Sequence, residues 1–171
     1  MYAGRVKPPL TRQDALRELA RFGIRGTTVY LIDVLPIIEM MWADGRLQDG
    51  ERALLEKFLR QHVDNINALA KMKVLGYEEG LPFAGRFLRD RPDPELMQVL
   101  RAMIPPVRLS SSDVWGARAT RDRILFWCLD IGAACVTDYP YGDHDRFSAD
   151  EKACFAEIVQ TLCGTPAAGA K

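Results

Sequence analysis

Two long apolar segments constrain the fold of this chain more than any other feature of the sequence. They read TTVYLIDVLPIIEMMWA over residues 27–43 and TRDRILFWCLDIGAACVTD over residues 120–138. Drawn as helices, both are apolar on almost every side, and a helix of this kind is stable in water only when it is buried. Neither segment contains ~20 uninterrupted apolar residues, so we expect no integral membrane segment. The two segments therefore predict two central, buried helices.

Helix start and stop signals place further helices in the first half of the chain. Thr11 can cap a first helix that ends at Gly23. Pro36 is expected to kink the first apolar helix, and Gly45 suits the left-handed position that ends it. A third helix begins near Gln48 or Asp49 and either stops at Gln61 or bends and continues towards Gly76.

The second half of the chain follows the same pattern. Short helices are predicted at 81–89 and 94–103, the latter with Asp93 as its N-cap. Residues 104–119, rich in proline and serine, are predicted to form a loop, and a last helix spans 148–163. No segment shows the period-two alternation of a strand, so the fold class is predicted to be all-α, with about seven helices.

The predicted domain organisation is simple. With 171 residues, the chain is long enough for one well-buried domain. We assign residues 1–10 to an N-terminal arm, 11–163 to the helical domain and 164–171 to a disordered tail.

A helix–turn–helix unit occurs twice. In the first copy, the apolar helix ends in WADGRLQDGE, and an amphipathic helix follows. Aligning Asp44 with Asp138 and Glu51 with Glu151 superimposes this order on the second copy, whose turn is longer. The two copies span residues 28–60 and 120–162. We expect them to pack around a pseudo-twofold axis, with both glutamates in the first turn of their helices.

The motifs ADGRLQDGE, ALLEKFL and the later FSADEK resemble those of the tellurite-resistance TerB family and its TerB-like domains. The signature of that family is a buried helix, an Ala-Asp-Gly turn and a glutamate that opens the next helix, found twice. The second copy here departs from it, because Tyr139 rather than glycine follows Asp138. The resemblance covers the two hairpins and leaves residues 61–119 without a match.

This resemblance implies an all-helical, non-enzymatic module from stress-response and chaperone-linked settings. In such domains, acidic residues at the turns bind a divalent metal. The positions that match the family motif are Asp44, Glu51, Asp138 and Glu151. A role in tellurite-type stress response, exerted through protein partners, follows from the same resemblance.

The residues themselves allow two interpretations of the acidic turns. Calcium takes six to eight oxygen ligands, and the second turn adds Asp143 and Asp145 to the carboxylates already named. Hard oxygen ligands favour calcium or magnesium over zinc. The alternative is that both glutamates only complete capping boxes, while N-terminal arginines neutralise the acids. The candidate metal ligands are Asp44, Glu51, Asp138, Asp143, Asp145 and Glu151.

The charge of the chain indicates no strong attraction to nucleic acid or to a membrane. The net charge is zero, but residues 1–26 carry six basic and two acidic side chains, and residues 138–160 carry six acids and two bases. These are either two solvated faces or a patch that meets a partner of opposite charge. No signal peptide is recognisable, so a cytoplasmic location is expected. A metal-free structural or adaptor domain is the alternative function.

Catalytic motifs are missing from the sequence. It contains no GxSxG, phosphate loop, HExxH or CxxC, and a metal-dependent hydrolase is the least favoured function. His144, between two aspartates, either ligates a transition metal or faces solvent. The four cysteines are expected to be free thiols, most of them in the core, and Trp115 has no assigned role. The cysteines are Cys128, Cys135, Cys154 and Cys163.

Overall fold

The computed structural model describes residues 9–110, 114–134 and 147–164. These residues form eight α-helices and one 3₁₀ segment, with no β-strand among them, which confirms the all-α prediction. The helices are α1 Arg12–Arg21, α2 Leu35–Trp42, α3 Asp49–Ala70, α4 Tyr77–Leu88, α5 Pro94–Ala102, α6 Ile104–Arg108, α7 Val114–Ala134 and α8 Ala149–Cys163, and the 3₁₀ segment is Gly26–Val34. No helix in these ranges is both long and apolar enough to cross a membrane.

Helices α2 and α7 lie at the centre of the fold, and they pack against each other. Each also packs against the second helix of its own hairpin, α2 against α3 and α7 against α8. The hairpins then cross over, because α8 packs on α2 and α3 packs on α7. Exchanging one hairpin for the other leaves this set of neighbours unchanged, as expected for two copies around a pseudo-twofold axis.

The first apolar segment is buried as predicted, but it is not one kinked helix. All residues from Leu31 to Ile38 are buried. The chain forms the 3₁₀ segment first and changes to an α-helix at Leu35. Pro36 lies in the first turn of α2, where its missing N–H has no intrahelical partner to lose. Where one helix kinked at Pro36 was predicted, the structure has two helical segments that meet at Leu35, one residue before the proline.

The second apolar segment differs from the prediction in its start and in its burial. Helix α7 begins at Val114, so Thr120 lies inside it rather than at its N-cap. Ile124 and Ile131 are fully buried, whereas Phe126 is 66% exposed and Trp115 is 78% exposed. Neighbours α2, α3 and α8 leave one side of α7 facing solvent. The prediction that this helix is buried on nearly all sides is wrong.

Helix α3 continues without a break to Ala70, and Lys71 rather than Gly76 ends it in a left-handed conformation, with φ +54°. Asn67 secures the turn that follows. Its Oδ1 accepts the N–H groups of Val74 and Leu75, at 2.7 and 3.0 Å, and its Nδ2 donates to the Leu75 carbonyl at 2.8 Å. The Asn67 side chain thus stabilises the end of α3, which was predicted to lie at a glycine.

The middle of the chain is more helical than predicted. Gly76 is the N-cap of α4, which starts four residues before the predicted Leu81. Helix α5 agrees with the prediction, including Asp93 as the cap that accepts the Glu95 N–H. The predicted loop from residue 104 is wrong, because Ile104–Arg108 is helical and α7 begins at residue 114. The Pro-Pro pair lies in the first turn of α6, where prolines are tolerated.

Candidate functional site

The first acidic turn is held by its own hydrogen bonds. Asp44 Oδ1 accepts the Arg46 N–H at 3.0 Å, and the Gly45 N–H donates to the Trp42 carbonyl at 2.9 Å. Gly45 has φ +84°, the left-handed conformation predicted for it. Glu51 is fully buried at the third position of α3, and its Oε2 accepts the N–H of the N-cap residue at 2.9 Å.

The start of the second amphipathic helix has the same geometry. Ser148 is the N-cap of α8, and its N–H donates to Glu151 Oε2 at 2.9 Å. The Glu151 N–H donates to Ser148 Oγ at 3.1 Å, which completes the capping box. Glu151 is buried, as Glu51 is. The prediction that both glutamates occupy equivalent first-turn positions is confirmed.

The remaining predicted ligands lie outside the described residues. They are Asp138, Asp143, Asp145 and, as a further candidate, His144. Within the ranges that the structure describes, no three His, Cys, Asp or Glu side chains are close enough to hold a metal ion. Cation binding by the six predicted ligands therefore stays a prediction. What the structure establishes for Glu51 and Glu151 is their capping geometry.

One cleft lies beside the C-terminal end of α2 and the start of α8. Trp42 and Ala43, at the C-terminal end of α2, line this cleft together with Asp150 and Ala153 in the first turns of α8. A Cβ atom built at Gly45 would lie 3.5 Å from Nη1 of Arg91, another lining residue. The end of the first apolar helix and the start of the last helix are thus neighbours, with a basic side chain beside the first turn.

A buried ion pair forms the inner wall of this cleft, whose volume is about 380 Å³. Nη1 of Arg101, on α5, donates to Glu39 Oε1 of α2 at 2.6 Å. Its Nη2 donates to Glu157 Oε2 of α8 at 3.4 Å, and its Nε donates to Thr161 Oγ1 at 3.0 Å. One guanidinium thus bridges three helices and holds two of the carboxylates that line the cleft, those of Glu39 and Glu157.

Glu39 is in an unusual state for a carboxyl group. Its side chain is only 10% exposed, and burial raises its pKa from 4.5 to about 8, against the opposing effect of the Arg101 charge. Its second oxygen, Oε2, has no hydrogen-bond partner among the described residues. A buried acid with a raised pKa in a cleft is a candidate for function.

A second buried polar cluster holds the 3₁₀ segment in place. Arg108 of α6 donates to Asp33 through Nε and Nη2, at 3.0 Å each to Oδ1 and Oδ2. His62 Nε2 lies 2.7 Å from the Tyr30 carbonyl, which can only accept, so this nitrogen carries the proton. Burial lowers the pKa of His62 despite the neighbouring Asp33. The neutral His62 connects α3 to the 3₁₀ segment, and the ion pair of Arg108 with Asp33 connects α6 to it.

The described cysteines are free thiols, as predicted, with Cys128 buried, Cys154 half-buried and Cys163 exposed. Burial raises the pKa of Cys128 well above its usual value, and that of Cys154 to about 12. Thiols in this state are poor nucleophiles, because the thiolate is the reactive form. Cys135 lies outside the described residues.

The sequence pointed to part of the cleft but not to its ion pair. Asp33 and Glu39 stand out as acids inside an apolar segment, and such acids signal either a surface position or a buried pair. Their arginine partners lie 75 and 62 positions away in the chain, and no local pattern connects them.

A scan against protein-family models finds no match, and neither curated proteins nor solved structures match the chain.

Proposed function

We propose that this chain is a non-enzymatic, cytoplasmic TerB-like module that binds a divalent cation weakly and acts in stress response through a protein partner. The observation that carries the proposal is the matched geometry of the two hairpins. Glu51 and Glu151 have the same position, the same burial and the same hydrogen bond. This supports the duplicated unit on which the resemblance to TerB depends.

The proposed cation site lies at the second turn. Asp138, Asp143 and Asp145 would supply oxygen ligands there together with Glu151, and calcium or magnesium fits such ligands better than zinc. Asp44 and Glu51 contribute to the same ion or form a weaker second site. The shared cleft supports this arrangement, because it brings the end of α2 to the first turn of α8.

A metal-free adaptor is the second candidate, and a specific observation favours it. Both buried glutamates already accept a backbone N–H, and Arg91 lies beside the first turn. In this version the acidic residues meet a basic partner rather than a metal. Two exposed aromatic side chains on α7 support a protein partner in either version, because aromatic residues are enriched at interfaces. They are Trp115 and Phe126.

Thermal unfolding of chelator-stripped protein distinguishes these candidates. A cation that binds only the folded state stabilises it by about 2.7 kcal/mol at a hundredfold excess over its dissociation constant. Millimolar calcium or magnesium should therefore raise the melting temperature. The double variant Asp143→Asn with Glu151→Gln should lose this rise. Because Glu151 also caps α8, the metal-free melting temperatures of both proteins are compared first. A rise that is equal in the variant would contradict the proposed ligands.

A further inference from the structure

The cleft between α2, α5 and α8 has an acidic lining. Four carboxylates line it against two arginines, and one of these arginines, Arg101, is already paired with Glu39 and Glu157. The other two carboxylates belong to Glu95 and Asp150. With Glu39 protonated near neutral pH, three carboxylates still face two arginines, so a cation that enters the cleft meets a small excess of negative charge.

Apart from Gln98, most of the remaining lining is apolar or aromatic. Trp42, Met97, Pro92, Pro94 and Ala153 contribute to the walls. The indole of Trp42 is fixed, because its Nε1 donates to the Phe87 carbonyl at 2.9 Å. A tryptophan ring attracts organic cations through its π electrons, and apolar walls favour a ligand that carries carbon as well as charge.

A buried oxygen on the inner wall provides an independent sign of a ligand. Arg101 satisfies Oε1 of Glu39, but Oε2 has no donor among the described residues, although its surroundings exclude water. Buried polar atoms are nearly always hydrogen-bonded, because leaving one without a partner costs about 1–3 kcal/mol. Glu39 lines the cleft, so a ligand whose N–H groups reach Oε2 once the side chain turns towards the cleft would remove this cost.

We propose that this cleft binds a small organic cation, an alkylammonium or guanidinium group, between Glu39, the outer carboxylates and Trp42. A volume of about 380 Å³ falls within the range of small-molecule sites. The carboxylates of the described residues do not form a group of three that suits a metal ion. The proposal is independent of cation binding at the acidic turns and uses other residues.

Binding should release a proton from Glu39. A positive charge beside Glu39 favours its ionised form, whereas in the empty cleft burial holds its pKa at about 8. Affinity should therefore increase from about pH 6 to about pH 9, while an alkylammonium with a pKa of about 10.4 stays charged. The other titratable or charged groups around Glu39 are Arg101 and Glu95 on α5, Asp150, Cys154 and Glu157 on α8, Cys128 on α7, and Arg91 before α5.

The test is an NMR titration of metal-free protein with butylammonium chloride, with butanol as the neutral control of the same length. We expect butylammonium to shift amide signals around the cleft and butanol to bind at least tenfold more weakly. Glu39→Gln should weaken butylammonium binding at least tenfold and remove its pH dependence. Exposed Glu56 provides the matched control, and Glu56→Gln should leave binding unchanged.

Two further arms complete the experiment. If Glu39→Gln fails to fold, Glu157→Gln replaces it, since this side chain is 66% exposed and its loss should weaken binding about threefold. A blocked lysine, N-acetyl-lysine methylamide, tests whether the cation comes from a protein side chain. If it does, this compound should bind more tightly than butylammonium. Equal affinity for butylammonium and butanol, or unchanged affinity in the carboxylate variants, would overturn the proposal.

Discussion

Replacing Glu39 by glutamine should change how the stability of the fold depends on pH. In the folded protein, burial raises the pKa of Glu39 from 4.5 to about 8. Between these two values the folded state holds a proton that the unfolded state releases. The free energy of unfolding therefore falls as pH rises through this window. At 1.36 kcal/mol per pKa unit, the shift corresponds to roughly 5 kcal/mol as an upper limit.

The effect of Glu39 must be separated from that of His62, whose contribution has the opposite sign. Burial lowers the pKa of His62, so the folded state binds fewer protons there and is stabilised as pH rises past the unfolded value of about 6.5. The informative quantity is the difference between wild type and Glu39→Gln, because the His62 contribution cancels in it. Glutamine keeps an oxygen that can accept from Arg101 and carries no charge at any pH.

The assay is urea unfolding followed by circular dichroism at several values between about pH 5 and about pH 8.5. We expect the wild type to lose stability relative to Glu39→Gln by several kcal/mol across this range, with most of the change complete near pH 8. Glu56→Gln, which changes an exposed glutamate, should follow the wild type. If the free energies of unfolding of wild type and Glu39→Gln depend on pH in parallel, the raised pKa of Glu39 is refuted. If the wild type becomes more stable relative to the variant as pH rises, the pKa shift has the opposite direction.

Three other substitutions test the packing and the polar contacts. Asp33→Ala removes the buried partner of Arg108 and should lower the free energy of unfolding by about 3 kcal/mol in urea titrations, because it leaves a charge largely unpaired. Gly132→Ala should cost about 1–3 kcal/mol by the same measurement, because the new Cβ would clash with the ring of Phe147. Glu51→Ala leaves the N-cap amide without its acceptor and should cost about 1–3 kcal/mol, whereas Glu51→Gln should recover most of this loss.

Local patterns predicted the helices with clear caps. Thr11, Asp93 and Ser148 each occur as N-caps where the sequence placed them, because a side-chain acceptor at the start of a helix is a local feature. The end of α3 was misplaced because a side chain, rather than a glycine, closes the turn there. Asn67 closes the turn after α3 through its side chain, and no glycine marks that position.

Burial was predicted correctly for the first apolar segment but not for the second. An apolar helix must bury most of its surface, but the sequence does not say how many neighbours will cover it. The segment before Trp42 is enclosed, whereas Phe126 and Trp115 of α7 remain exposed. The capping glutamates follow from the motif itself. The pair of Glu39 and Arg101 does not, because it joins helices 62 positions apart.

Cation binding is the central claim, and calorimetric titration of chelator-stripped protein tests it most directly. Calcium, magnesium, manganese and zinc are titrated separately into the wild type and into Asp143→Asn with Glu151→Gln. We expect saturable binding of calcium or magnesium to the wild type, weaker binding of zinc, and loss of binding in the variant. Wild-type protein that binds none of the four ions, or a variant that binds calcium and magnesium as the wild type does, would contradict the claim.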